Sequence, residues 1–181
     1  MEGEENEGRT VEGYAAVFNT PTRVGWFEEV IEAGAFDNAI KVSDCRALFN
    51  HDSNHLLARQ KSGTLTLELD AKGLKYRFES PNTQTGNDIL EMMGRGDLAE
   101  SSFAFTVKSE AWEEEKDDDG NWNYRRVIKE VEYLYDVSPV TYPAYADTTV
   151  AKRSFENWKQ DREEKPEQVS YPVEVMRAVY G

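Results

Sequence analysis

The sequence predicts a β-rich α+β domain: a mostly antiparallel β-barrel, closed or nearly closed, flanked by a few short helices. Three observations carry that prediction. Six or more short segments either alternate apolar and polar residues with period two or run briefly apolar between turn-forming residues. Segments with helical spacing are few and short. The chain has 181 residues, 39% of them hydrophobic, which suffices for one core. Many short strands with so few helices favour a barrel over a layered α/β fold.

The elements follow in order. Residues 1–9 are rich in Glu and Gly and hold nothing apolar beyond Met1, so they read as a flexible acidic arm. Gly13-Tyr14-Ala15-Ala16-Val17-Phe18 is a short apolar run ended by Asn19-Thr20-Pro21, a buried strand and its turn. A second strand is expected over 26–31. Gly34 breaks the chain, and 36–41 has room for a brief helix with Phe36 and Ile40 four apart on one face. Residues 46–51 read as a strand ending at His51 and stopped by the polar turn formers Asp52-Ser53-Asn54.

Residues 64–69 and 74–78 both alternate with period two around a turn at 70–73, which makes them a hairpin. A short helix is expected over 87–94, with Asn87 or Asp88 capping its first amides and Gly94 closing it. Residues 103–107 alternate and run on to Trp112; 113–121 are acidic and turn-rich; Trp122-Asn123-Tyr124 then resumes the strand. That is a long hairpin with a solvated tip. Residues 127–140 supply two further apolar stretches, and Pro139 and Pro143 restrict the end of the last to an edge or turn. After Val150 the composition shifts to Lys, Arg, Glu and Gln, with Phe155 and Trp158 at helical spacing and a final apolar patch over 171–180. The chain thus divides into an arm (1–9), a domain (10–150) and a charged tail (151–181), helical or removable.

Charge excludes whole classes of partner. With 35 Asp and Glu against 21 Lys and Arg, the net charge of −14 repels nucleic acid and anionic membranes. No apolar run approaches the roughly 18 residues that span a bilayer, and the acidic start, Met1-Glu2-Gly3-Glu4-Glu5, is unlike a secretory leader. A single cysteine, Cys45, excludes an internal disulfide framework and a multi-thiolate zinc site. A soluble protein of a reducing compartment is expected, with neither nucleic acid nor membrane as partner.

Three constellations can carry chemistry. Both histidines lie in Asn50-His51-Asp52-Ser53-Asn54-His55. An imidazole titrates near neutrality and is the simplest general base, although two loop histidines are more often surface residues. His51 and His55, four apart, also have the spacing of a zinc pair on a helix, but Asp52 and Asn54 argue for a turn and no third ligand is evident. In Ser101-Ser102-Phe103-Ala104-Phe105, strand alternation groups Ser101 with the two phenylalanines and Ser102 with Ala104. Ser102 then points away from the core, beside small neighbours that leave room for a substrate, as a nucleophile requires. Taken alone, a solvent-facing hydroxyl is the commoner outcome. In Leu134-Tyr135-Asp136-Val137-Ser138-Pro139-Val140 one carboxylate interrupts an apolar strand. Burying it costs several kcal/mol unless a donor is found, and an imidazole N–H is a suitable one. Asp136 can then orient His51.

Other matches fall away. The calcium-loop-like stretch from Glu115 to Gly120 has Arg126 where a bidentate Glu is needed. Arg95-Gly96-Asp97 is a chance tripeptide, and Gly94 and Gly96 fit no nucleotide-binding fingerprint.

Five segments together resemble the HK97-type prohead (capsid maturation) protease family of tailed bacteriophages. They are Glu12-Gly13-Tyr14-Ala15-Ala16-Val17-Phe18, Glu32-Ala33-Gly34-Ala35-Phe36, Leu48-Phe49-Asn50-His51-Asp52, Ser101-Ser102-Phe103-Ala104-Phe105, and the stretch from Asp136 to Ala144. They cover about residues 10–150 in order. The resemblance implies a barrel like that of the herpesvirus assemblins and a serine endopeptidase that cleaves scaffold or capsid protein inside the immature capsid, in the host cytoplasm. It implies His51, Ser102 and Asp136 as the catalytic set, with no cofactor or metal. It leaves the oligomeric state open, a homo-oligomer included. Ala104 stands where the family often has Gly, and Ser101 adds a second hydroxyl beside the nucleophile. Two alternatives stay open: a non-catalytic capsid-assembly or scaffold-binding module, and a metal-dependent hydrolase using His51 and His55.

Overall fold

The structure, a computed structural model, describes residues 8–142 and 148–164. The chain divides into two units, Met1–Ala146 and Asp147–Gly181. Most of the expected acidic arm and the end of the tail, including its apolar patch, lie outside the described residues. Among those described, no helix is long and apolar enough to cross a membrane.

The first unit is built from strands in two open sheets. The smaller is antiparallel, in the order β1 (Thr10–Val17), β7 (Gly73–Glu79), β6 (Leu65–Leu69). The expected hairpin over 64–78 supplies two of its three strands. The larger sheet is mixed and centres on β9 (Trp122–Val140), a single 19-residue strand where two stretches were expected. Along one edge β9 pairs antiparallel with β8 (Glu100–Lys116), the expected long hairpin. The opposite edge is shared: β3 (Phe27–Ile31) runs parallel to its first half and β4 (Arg46–Phe49) parallel to its second. β2 (Thr22–Val24) and β5 (Asp52–Arg59) extend the two ends.

The β-rich character with few short helices is as expected, but of the closed or nearly closed barrel no closed form is found: the strands make two sheets, one of them with parallel pairs. The reason lies in the crossover from β3 to β4, which carries α1 (Ala39–Val42) past the middle of β9. There it replaces a strand as hydrogen-bond partner. The Val131 N–H donates to the Ala35 carbonyl (2.8 Å), and the Leu134 N–H to Ser43 Oγ (2.9 Å). The backbone of β9 stays satisfied across the gap between β3 and β4 without another strand.

One apolar cluster draws on both sheets: Leu74, Tyr76 and Phe78 from β7, Ile128, Val131, Leu134 and Val137 from β9, and Phe36 before α1. Each large side chain so buried contributes about 1.5–3 kcal/mol relative to exposure. α2 (Gln84–Arg95) adds Ile89 to this core. It starts three residues before the expected cap, because Thr83 Oγ1 accepts the Gly86 N–H at 3.1 Å, and it ends at Gly96, which takes the left-handed conformation (φ +80°). The second unit contains α3 (Thr148–Glu164), in which Phe155 and Trp158 stack at 5.5 Å between ring centres.

Candidate active site

The histidine is positioned by a turn that the sequence reading placed two residues late. β4 and β5 form a hairpin in which Phe49 pairs with Asp52, so Asn50 and His51 alone make the turn. Both have positive φ, +54° and +58°, as the favoured two-residue hairpin turn requires. Asp52-Ser53-Asn54 is consequently the start of β5 rather than a turn. Asp52 still makes the local bonds that suggested one, accepting from the Asn54 N–H at 2.8 Å. Asn50 pins the turn to the end of β9. Its N–H donates to the Pro139 carbonyl (3.1 Å), its Oδ1 accepts the Thr141 N–H (2.8 Å), and its Nδ2 donates to Thr141 Oγ1 (3.2 Å).

So held, His51 meets Asp136. Nδ1 lies 2.7 Å from Asp136 Oδ1. An ionised carboxylate only accepts, so in the neutral imidazole the proton sits on Nδ1 and the lone pair on Nε2. Nε2 is buried and has no hydrogen-bond partner among the described residues. The Ser102 hydroxyl is thus not bonded to it in this structure. Leaving such an acceptor unsatisfied costs about 1–3 kcal/mol, a cost tolerated where the atom has work to do.

Asp136 is 6% exposed. Its burial is offset by two donors on one oxygen: the His51 Nδ1–H and Ser138 Oγ, which donates at 2.6 Å. Its charge is felt at Cys45, whose thiol is pushed up to about 12, first by burial and then by Asp136. Cys45 is therefore a neutral thiol at pH 7 and no competing nucleophile.

Ser102 stands on β8 directly opposite Ser138 of β9, and Ala104 directly opposite Asp136. Opposite residues of an antiparallel pair share a face, so Ser102 and Asp136 are diagonal neighbours on one face, with Cα atoms roughly 7–8 Å apart. Ser102 is 8% exposed. It lies on the face opposite Phe103 and Phe105, as alternation predicts, but that face is buried there rather than open to solvent. Ser101 has a different environment. Its Oγ is 2.8 Å from the hydroxyl of buried Tyr76, on the strand next to β1. Gly13 of β1 makes room for the pair, since a Cβ there would lie 2.9 Å from Tyr76 Oη and 3.2 Å from Ser101 Oγ.

His55 is exposed, and its Nδ1 faces Asp52 Oδ2 at 3.2 Å, while His51 is engaged by Asp136. Among the described residues no cluster of three His, Cys, Asp or Glu stands where a metal ion could be held. At the hairpin tip, Asp117 Oδ1 accepts the N–H groups of Asp119 (3.1 Å) and Asn121 (2.8 Å), so this acidic stretch closes its own turn.

Sequence reasoning brought His51 and Asp136 together correctly, and missed Ser138 and Asn50. A signal for Ser138 was present: two residues after Asp136 on a strand is the same face. For Asn50 the signal was weaker, since Asn tolerates positive φ but so do many turn residues.

A family model described as Caudovirus prohead serine protease matches residues 1–161 of the 181. No curated protein and no solved structure matches the chain.

Proposed function

The chain belongs to the caudovirus prohead serine protease family, and from that premise we propose that it is a serine endopeptidase that cleaves scaffold or capsid protein inside the immature capsid, in the host cytoplasm. The observation that carries this reading is the 2.7 Å bond between His51 Nδ1 and Asp136 Oδ1, which leaves Nε2 as an unoccupied base one strand from Ser102. Residues 10–150 are the protease domain in this reading, and 151–181 a charged tail that the enzyme trims from itself.

In the proposed reaction Ser102 Oγ attacks the scissile carbonyl as His51 Nε2 takes its proton. Asp136 stabilises the imidazolium that results. The C–N bond then breaks, His51 returns the proton to the leaving amine, and an ester to Ser102 remains. Water attacks that ester with His51 again as base, releasing the acid and restoring the hydroxyl. The contact from Nε2 to Oγ has to form for this to happen, and such bonds often tighten only when substrate arrives.

Incubation with the cognate capsid protein, followed by sequencing of the fragment ends, tests the activity. Ser102→Ala is expected to lower cleavage by on the order of 10⁴–10⁶-fold with a nearly unchanged unfolding midpoint; undiminished cleavage overturns the assignment. The absence of a bond between Nε2 and the Ser102 hydroxyl favours one second reading, a capsid-assembly module without catalysis. A fluorophosphonate distinguishes the two, because only an activated Ser102 becomes covalently labelled.

A further inference from the structure

Asp136 Oδ1 receives two hydrogen bonds, and only one comes from the histidine. The other donor, Ser138 Oγ at 2.6 Å, belongs to a side chain with no exposed surface that stands directly across the sheet from Ser102. We propose that Ser138 is a positioning residue of the active site, whose hydroxyl fixes the rotamer of Asp136 and tempers its pull on the His51 proton. This rests on the protease reading above.

The argument is one of geometry and charge. A carboxylate on a strand swings about two side-chain torsions, and a serine two residues further along the same face is placed to stop it. Ser138 Oγ–H is also a charge-assisted donor, so it draws part of the carboxylate's negative charge away from His51. Three other groups bear on Asp136. Arg46 is opposite it in the β4–β9 register, but its guanidinium donates to the Asp44 carbonyl at 2.6 Å and faces the Asp44 carboxylate at 3.5 Å. Cys45 is a neutral thiol, and Ala104, across β8, brings no charge. The hydroxyl of Ser138 and the imidazole of His51 therefore set the charge balance at Oδ1 between them.

Removing the hydroxyl has a signed consequence. Asp136 then holds the imidazolium form of His51 more strongly, and a protonated His51 accepts no proton from Ser102. The acidic limb of the pH–rate profile for fluorophosphonate labelling should move to higher pH in Ser138→Ala, and Ser138→Thr should restore it. The Nδ1–H proton resonance of His51 should also move in Ser138→Ala, and it is readily assigned in a chain with two histidines. The full-length protein serves for both measurements. A labelled wild type with a displaced limb, rescued by Thr, supports the proposal. A labelled wild type whose limb and resonance are unmoved in Ser138→Ala overturns it and leaves the protease reading standing. A wild type that takes no label at Ser102 overturns both.

Discussion

The long β8–β9 hairpin buries a carboxylate near each end, and the two are handled differently. At the C-terminal end of β9, Asp136 faces an imidazole and a hydroxyl. Toward the tip, buried Glu29 of β3 faces Arg126, whose Nη1 lies 3.1 Å from Glu29 Oε2 and whose Nε lies 2.7 Å from Glu110 Oε2. A guanidinium holds its proton at every accessible pH, so Arg126 cannot serve as a base. Imidazole can give up its proton near neutrality. Burial of a carboxylate therefore does not mark an active site; the chemistry of its partner does.

Four substitutions break or sharpen this contrast, from the largest effect downward. Asp136→Asn keeps the shape but lets an amide donate where a carboxylate only accepted, which favours the wrong tautomer of His51. Labelling of Ser102 should fall by on the order of 10⁴-fold; full labelling would make this end as purely structural as the other. Arg126→Met leaves Glu29 buried without its cation and should cost about 3–5 kcal/mol in urea unfolding. Where the variant is still folded, its labelling rate should equal the wild type's, and an early loss of labelling would mean that the two ends are coupled.

Gly13→Ala is next. Its new Cβ would press on Tyr76 Oη and Ser101 Oγ, the contact that braces β8 beside Ser102. Overpacking of this kind costs about 1–3 kcal/mol, read as a lower unfolding midpoint, and an unchanged midpoint would show that the contact yields freely. Smallest is Glu29→Gln. Burial raises the Glu29 carboxyl above its ordinary value, with Arg126 acting against the rise and Glu110 adding to it. The folded state then binds this proton more tightly than the unfolded chain does, so stability is lost as pH rises from the ordinary Glu value through the folded one. The Gln variant lacks that loss. Its urea midpoint should gain on the wild type's with rising pH, and a pH-independent difference would contradict the stated direction.

Local signals served well where the structure depends on local geometry. The hairpin of β6 and β7 was legible because alternation and turn chemistry agree there. The pairing of His51 with Asp136 was legible for a different reason: a lone carboxylate in an apolar strand demands a donor, and the chain offers only two imidazoles. β5 was misread because Asp52 and Asn54 are turn formers whose bonds are also compatible with a strand start. The helix cap at Thr83 was passed over because Asn87 and Asp88 have the same chemistry four and five residues later.

By itself the sequence determined the strand content, the acidic charge, the separate character of the two serines and the need of Asp136 for a hydrogen-bond donor. These follow from period, composition and the cost of burying polar groups, all of which act within a few residues. Only the tertiary structure decided that the strands form two open sheets rather than a barrel, that Ser102 is covered, and that Ser138 shares the oxygen that binds His51. Those outcomes depend on which edge of β9 each distant strand takes. Such pairing is set by contacts across some 90 to 100 residues of chain, Glu28 with Arg125 and Arg46 with Asp136 among them, and no local pattern encodes it.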